Sequence, residues 1–189
     1  MKEFNLHIKN MVCPRCIKVV RDELRALGAE VLQVELGHAR IRCNTSKIQI
    51  TSISEILEKQ GFELLEDEND MLLEKIRINL IAFLEHIENS KETERLSVFI
   101  SRKIGKNYSL LSKHFSKCNH QTIEKHFIRL KIERVKELLD YDELTLSEIA
   151  SKLKYNSVHY LSSQFKKITG KSVTSYKKGL HNRKSWDKL

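Results

Sequence analysis

A sequence repeat in the C-terminal half constrains the fold of this chain more than any other feature. The segment ISRKIGKN, which begins at Ile100, matches IASKLKYN, which begins at Ile149, 49 residues later. After one inserted residue the match continues at an offset of 50 residues, so that Phe115 aligns with Phe165. Self-similarity at such a period predicts a duplicated supersecondary unit.

Each copy of the repeat has the pattern of two short amphipathic helices separated by a tight turn. In the second copy, Thr145 and Glu148 form a capping-box pattern before an apolar i, i+3, i+4, i+7 stripe, and Ser157 can cap the next helix. Between the copies, apolar periodicity predicts one long helix from about Thr122 to Asp140. We therefore expect an all-α domain of two helix-turn-helix units joined by a long helix.

Positive charge is concentrated in the same half of the chain. Residues 97–189 contain 20 lysines and arginines against 8 acidic residues, whereas residues 1–96 contain 14 against 17. Such a surface suits a polyanion, and nucleic acid is the usual one. A basic surface that only maintains solubility is the alternative, and composition alone does not separate the two. The helix-turn-helix pattern favours DNA, because such a helix fits the major groove.

Residues 96–178 resemble the DNA-binding domain of AraC-type transcription regulators. The likeness is strongest in LSEIASKL and in FKKITGKSVTSYKK. It implies that two helix-turn-helix units read adjacent major grooves of double-stranded DNA, and that RNA polymerase is a partner if the protein activates transcription. His120 stands where the family usually has glycine, and Val173 where it usually has proline.

The resemblance also indicates which residues would contact DNA. No arginine fork for guanine lies on either recognition face, so we expect base reading from Asn107, Lys113 and His159. Lys117, Lys166, Lys167 and Lys171 are expected to contact phosphates, which take the larger share of protein–DNA contacts. The predicted DNA-binding residues are Asn107, Tyr108, Ser109, Ser112, Lys113, Lys117, Asn156, Ser157, Val158, His159, Ser162, Ser163, Lys166 and Lys167.

The N-terminal region has the periodicity of strands. Leu6 and Ile8 alternate with polar residues, and two further alternating runs meet at a predicted hairpin turn, Gly37-His38. Two helical patterns lie between the strands, and Ser52 is the expected cap of the second. The predicted order is βαββαβ, which is that of the ferredoxin-like sandwich. The whole chain is therefore expected to be α+β at its N-terminus and all-α after it.

The segment MVCPRC lies between the first strand and the first helix. Residues 3–66 resemble the heavy-metal-associated domain of copper chaperones and metal-transporting ATPases, which implies that Cys13 and Cys16 bind a soft metal such as Cu(I). A helix N-terminus lowers the pKa of a thiol, and two thiolates suffice for Cu(I), whereas structural zinc takes four ligands. Met11 is expected to point inward. A metal-free dimerisation or docking module is the alternative.

Three further expectations concern the remaining cysteines, the connecting segment and the domain limits. Cys43 and Cys118 share the phase of apolar neighbours, so both are expected in the core. A short heptad seam can pack on its own chain or mediate a homodimer; it consists of Leu73, Ile76, Leu80, Phe83 and Ile87. The expected domains are residues 1–68, a connecting helix and hinge at 69–95, the DNA-binding domain at 96–180 and a basic tail at 181–189.

Several functional classes find no support in the sequence. An apolar run near 18 residues and a signal-peptide core are both absent, so we expect no membrane segment and a cytoplasmic location with reduced thiols. A spaced catalytic set or phosphate-binding glycine loop is also absent, so the chain is not expected to be an enzyme. The preferred hypothesis is a DNA-binding transcription regulator that responds to a soft metal, and a metallochaperone is the alternative.

Overall fold

The computed structural model describes residues 1–46, 48–90 and 94–178. The predicted tail at 181–189 and residues 91–93 of the predicted hinge lie outside the described residues. Internal contacts divide the chain into two compact units, 1–78 and 79–189. No helix within the described residues is both long and apolar enough to cross a membrane.

The N-terminal unit is built on a four-stranded antiparallel sheet with the strand order β2-β3-β1-β4. Strand β1 is central because it pairs with both β3 and β4, and its Leu6 and Ile8 are buried as the alternation predicts. The elements follow the predicted βαββαβ order. They are β1 (Lys2–Lys9), α1 (Pro14–Ala26), β2 (Glu30–Glu35), β3 (His38–Cys43), α2 (Ile50–Lys59) and β4 (Glu63–Leu65).

The core of this unit lies between the sheet and helices α1 and α2. Val20 and Leu24 of α1 and Leu57 of α2 are completely buried in it. The expected cap of α2 is wrong: the helix begins at Ile50 after Gln49, so Ser52 lies inside its first turn. The alternation predicted for β2 is also interrupted, because the pairing with β3 shifts by one residue between Val31 and Gln33, as in a β-bulge.

A long helix, α3 (Glu68–Asn89), follows the sandwich and contains the division between the two units. Its first half packs in the N-terminal unit, where Leu73 and Ile76 are buried. Ile78 packs against the turn between β2 and β3, and a Cβ atom added to Gly37 would overlap the Ile78 Cδ1 atom. Gly37 also has a φ of 75°, so both space and backbone conformation require glycine there.

In the described residues of the C-terminal unit, all regular secondary structure is α-helix, and short turns separate the helices. The predicted connecting helix is confirmed: α6 (Ile123–Tyr141) is capped by Thr122 and buries an apolar stripe that includes Phe127 and Leu130. The elements that follow α3 are α4 (Leu96–Ile104), α5 (Tyr108–Asn119), α6 (Ile123–Tyr141), α7 (Leu146–Lys152), α8 (Val158–Thr169) and α9 (Val173–Lys178).

The second half of α3 packs inside the C-terminal unit. The Phe83 ring lies 5.1 Å from that of Phe99 and 5.2 Å from that of Phe127, measured between centroids. Arg134 of α6 donates two hydrogen bonds, of 2.8 and 2.9 Å, to the carboxylate of Glu88. All five seam residues are buried, which agrees with the expectation that the seam packs on its own chain.

The two isolated cysteines have different environments. Cys43 is buried in the core of the N-terminal unit, as predicted. The prediction for Cys118 is wrong, because its side chain is exposed. Cys118 lies in the last turn of α5, beyond the buried Leu111 and Phe115, and the equivalent Ile168 of α8 is also exposed.

Candidate nucleic-acid interface and thiol site

The two repeats form two helix-turn-helix units, α4 with α5 and α7 with α8. The second helix of each unit is anchored by two completely buried residues, Leu111 and Phe115 in α5 and Leu161 and Phe165 in α8. Because these residues lie four positions apart, they fix one face of each helix against the unit. The opposite face of each helix carries most of the residues predicted to contact DNA.

The N-caps of α5 and α8 show where the second copy of the repeat has its one extra residue. It lies in the turn before α8. Asn107 caps α5 by accepting a hydrogen bond of 2.8 Å from the Ser109 amide, and Ser157 caps α8 by accepting one of 3.1 Å from the Tyr160 amide. Asn107 is therefore equivalent to Ser157, and not to Asn156 as the first segment of the alignment suggests. Both side chains are engaged at helix starts, which orients them at the ends of the recognition faces.

The longer second turn contains a buried aromatic residue. Tyr155 is 9% exposed, and its amide donates to the Ala150 carbonyl at 2.8 Å. The Lys131 ammonium of α6 lies 3.6 Å from the centroid of the Tyr155 ring, which is a cation–π contact. Burial lowers the pKa of Lys131 to about 8. This contact joins the second helix-turn-helix unit to the long helix.

Tyr108 and Val158, at the first position of α5 and α8, are half-buried. The Tyr108 hydroxyl donates a hydrogen bond to the carboxylate of Glu124 at the start of α6. Burial, assisted by this carboxylate, raises the pKa of Tyr108. Tyr108 therefore joins α5 to α6, and only part of its ring is accessible at the margin of the predicted DNA face.

The exposed faces of α5 and α8 are basic. The candidate phosphate-binding and base-reading lysines form no ion pair with any residue that the structure describes; they are Lys113, Lys117, Lys166, Lys167 and Lys171. Ser112 and Ser162 are half-buried between them. The remaining predicted residues are exposed: Asn107, Ser109, Asn156, Ser157, His159 and Ser163. Each of the two recognition helices thus presents exposed lysines on the face opposite its buried anchors.

A groove of about 640 Å³ lies between the recognition helix α8 and the short helix α9. Its lining includes four predicted residues of α8, His159, Ser162, Ser163 and Lys166, together with Ser172, Thr174, Lys177 and Lys178 at and within α9. Sequence reasoning did not assign the α9 residues to the site. The hydroxyl side chains of SVTSYKK, followed by two adjacent lysines, were the available signal.

Two exposed apolar residues at equivalent positions were also missed. Leu110 of α5 is 56% exposed, and Tyr160 of α8 is 49% exposed. The Gln164 side-chain amide donates to the Tyr160 hydroxyl at 2.7 Å, which orients the ring along the helix. The repeat itself aligns these two positions and would have identified them, because an apolar side chain can contact a thymine methyl group.

The two N-terminal thiols lie together at the start of α1. Cys13 is the N-cap residue of α1, and the Cys16 amide donates to the Cys13 carbonyl at 2.9 Å. Their Sγ atoms are 3.6 Å apart, and both side chains are half-buried. Met11 is completely buried, as predicted, and its side chain anchors the loop to the core of the N-terminal unit.

The pKa of the Cys16 thiol differs in direction from the expectation. Burial raises the pKa of the Cys16 thiol, although hydrogen bonds from the backbone at Val12 and Cys13 act in the opposite direction. The predicted lowering is therefore wrong for Cys16 in the metal-free protein, because desolvation of the thiolate outweighs the helix N-terminus.

The donor set of this loop fits a soft ion with two ligands. Two metal–sulfur bonds of about 2.3 Å each span at most about 4.6 Å, so sulfurs 3.6 Å apart can contact one ion together. Across residues 1–46, 48–90 and 94–178, no cluster of three or more His, Cys, Asp or Glu side chains is arranged to hold a metal. The pair is thus poorer in ligands than a structural zinc site.

Comparisons with known proteins agree with this geometry in the C-terminal half. Residues 100–179 match the family model described as a helix-turn-helix domain. The MmsAB operon regulatory protein of Pseudomonas aeruginosa is 28% identical over 93 residues, which are 49% of this chain and 29% of that protein. The Msm operon regulatory protein of Streptococcus mutans serotype c is 26% identical over 83 residues, 44% of this chain and 30% of that protein.

The chain covers less than a third of the length of either regulatory protein. A solved structure titled CopZ metallochaperone aligns with 34% of this chain over its whole length, at 20% identity and a TM-score of 0.30. The matches in the C-terminal half confirm the resemblance to AraC-type regulators over the helix-turn-helix region.

Proposed function

We propose that this protein, in which residues 100–179 form an AraC-type helix-turn-helix domain, is a transcription regulator that binds double-stranded DNA. The observation that carries the proposal is the pair of basic recognition faces on α5 and α8, each fixed by two buried residues and each bearing exposed lysines, Lys113 and Lys117 on α5 and Lys166 and Lys167 on α8. A rigid helix with an exposed basic face suits the major groove and its phosphate rims.

The roles of individual residues follow from their place on these faces. Lys113 lies at the centre of the exposed face of α5, and His159 lies at the start of the exposed face of α8, so both can reach base edges. We expect Lys117, Lys166, Lys167 and Lys171 to contact phosphates. The serines Ser109, Ser112, Ser162 and Ser163 can donate to either. If the protein activates transcription, RNA polymerase is an additional partner.

The DNA proposal is tested with the full chain by selection from a random duplex pool, followed by titration of the selected site at several salt concentrations. We expect a selected sequence, and an affinity that falls steeply with salt because phosphate contacts release counterions. The double variant Lys113→Ala, Lys166→Ala should lose most of the affinity. Lys18→Ala, Lys59→Ala, on exposed positions of α1 and α2, is the matched control and should bind as wild type. Failure to select any sequence contradicts the proposal.

A finer part of the proposal is that Cys13 and Cys16 take a soft metal such as Cu(I), and that metal loading changes DNA affinity. The half-buried sulfurs at 3.6 Å and the absence of a larger ligand cluster in the described chain support a two-thiolate site. A ligand changes affinity at a second site only when it binds two states of the protein unequally. The metal would therefore have to favour one state of the regulator.

Footprinting of the full chain with and without Cu(I) tests this part separately. Cys13→Ser, Cys16→Ser should abolish Cu(I) binding and any effect of Cu(I) on DNA, whereas Cys118→Ser, at the exposed cysteine of α5, is the control. Equal DNA affinity with and without Cu(I) removes the regulatory role and leaves the DNA role intact. Cu(I) binding without sequence-selective DNA binding would instead favour the metallochaperone alternative.

A further inference from the structure

Helix α3 contributes a buried carboxylate to the base of the loop that contains Cys13 and Cys16. Glu74 is 7% exposed, and its Oε1 atom accepts a hydrogen bond of 3.0 Å from the backbone amide of Asn10. The two residues are 64 positions apart in the sequence. The Arg77 guanidinium lies 3.6 Å from the other carboxylate oxygen of Glu74. A buried carboxylate in contact with a backbone amide fixes that segment of backbone strongly.

The segment that Glu74 holds is the residue that turns the chain from β1 into the thiol loop. Asn10 has a φ of 71°, a conformation that costs energy for any residue with a side chain. Its side-chain amide donates to the Gly61 carbonyl at 3.0 Å. The next residue is the buried Met11, and Cys13 follows two positions later. Asn10 is therefore held from two sides, by the end of α2 and by α3.

The contact between α3 and the sandwich is extensive enough to make Glu74 a fixed group. Ile78 occupies the space above Gly37, one turn further along α3, and Leu73 and Ile76 are buried beside it. Burial raises the pKa of Glu74, and the Asn10 amide and Arg77 act against this. The Glu74 side chain is therefore accommodated inside the N-terminal unit because the Asn10 amide and Arg77 are its specific partners there.

We infer that Glu74 is a positioning residue for the thiol pair: it holds the Asn10 amide and so fixes the loop that presents Cys13 and Cys16. The consequence for metal affinity rests on the proposed metal binding. The consequence for the metal-free loop does not, because it concerns only the accessibility of the two thiols. Through Glu74, the loop conformation depends on a helix that lies outside the βαββαβ sandwich.

The test compares Glu74→Leu with Glu74→Gln in the full chain. Leucine has a similar volume but no acceptor for the Asn10 amide, whereas glutamine keeps an acceptor oxygen. Glu85→Leu, at an exposed position of the same helix, is the matched control. The first measurement is the rate at which iodoacetamide alkylates Cys13 and Cys16 in the reduced, metal-free protein. The second is Cu(I) affinity against a competing chelator.

We expect Glu74→Leu to be alkylated at least about threefold faster than wild type, because the loop opens locally. Its Cu(I) affinity should fall by about tenfold, as is typical when a group that orients metal ligands is lost. Glu74→Gln and Glu85→Leu should remain close to wild type in both measurements. An alkylation rate of Glu74→Leu equal to that of wild type overturns the inference. If wild type itself fails to bind Cu(I), the metal proposal fails, and the alkylation rates alone decide the role of Glu74.

Discussion

The two helix-turn-helix units share one backbone plan but are stabilised in different ways. In the second unit the signals are local: Thr145 and Glu148 form a complete capping box at the start of α7, and Gly170 ends α8 with a φ of 76°. In the first unit α4 begins after Arg95 with no side-chain cap, and α5 ends at His120 with a φ of 53°. The same turns are therefore formed with less favourable residues.

The first unit compensates through tertiary contacts. The Tyr108 hydroxyl donates a hydrogen bond to Glu124 of the long helix. Phe99 packs against Phe83 of α3. The comparison teaches that a duplicated motif can lose its local sequence signals in one copy when neighbouring helices supply the contacts. It also explains why the family likeness is weaker in this unit.

The largest expected effect concerns Tyr155, which is buried in the turn of the second unit, whereas Lys106 at the equivalent position of the first unit is exposed. Tyr155→Ala should lower the free energy of unfolding by about 3 kcal/mol, because it leaves a cavity and removes the contact with Lys131. Lys106→Ala, in the corresponding turn of the first unit, is exposed and should change it by less than about 0.5 kcal/mol. Urea unfolding followed by circular dichroism measures both. Equal losses would mean that the two turns are anchored alike.

The next prediction concerns how the two recognition faces divide DNA binding. Lys113 of α5 corresponds to Ser163 of α8 in the repeat. Lys113→Ala should weaken binding to the selected site by about tenfold, whereas Ser163→Ala should weaken it by less than about threefold. Fluorescence anisotropy at one fixed salt concentration gives both numbers. A larger effect at Ser163 would show that the second unit dominates sequence reading.

A smaller effect is expected at the capping box. Thr145→Ala removes the side chain that accepts from the Glu148 amide, and should cost about 1 kcal/mol of stability. Arg95→Ala, at the uncapped start of α4, should cost less than about 0.3 kcal/mol, because no capping bond is lost there. Thermal unfolding of the two variants side by side provides the measurement. A loss at Arg95 that equals the loss at Thr145 would contradict the distinction between the units.

The smallest predicted effect is a stabilisation. His120→Gly should raise the free energy of unfolding by about 0.5–1 kcal/mol, since glycine adopts the left-handed conformation without the strain of a side chain. The reverse change, Gly170→Ala, should lower it by a similar amount at the equivalent cap. Chemical denaturation resolves shifts of this size when the variants are compared in one experiment. A destabilised His120→Gly would indicate that the imidazole makes a compensating interaction.

The parts of the structure that the sequence predicted well are those with local causes. Thr145 and Ser157 were identified as caps from their neighbours alone, and each accepts a backbone hydrogen bond at the start of its helix. The element order of the sandwich follows from hydrophobic alternation in the same way. The repeat predicted both helix-turn-helix units because the buried residues that anchor the second helix of each unit, Leu111 and Phe115 in one copy and Leu161 and Phe165 in the other, occupy equivalent positions.

The features that the sequence did not predict depend on contacts between residues that are far apart in the chain. The exposure of Cys118 depends on where the core of the C-terminal unit ends, and the start of α2 at Ile50 is not marked by a side-chain cap. The higher pKa of Cys16 follows from burial, which a motif does not report. The contact of Glu74 with Asn10 joins residues 64 positions apart, and no local pattern indicates it.

The second half of α3 has a practical consequence for anyone who wishes to study the C-terminal unit alone. A fragment that begins at the family match, near residue 100, would lack Phe83 and Glu88, so it would uncover the ring of Phe127 and leave Arg134 without its carboxylate partner. Such a protein should aggregate on expression, because a newly bared apolar surface associates with itself. The shortest fragment worth cloning therefore starts at Asn79, ahead of the region that sequence comparison would suggest.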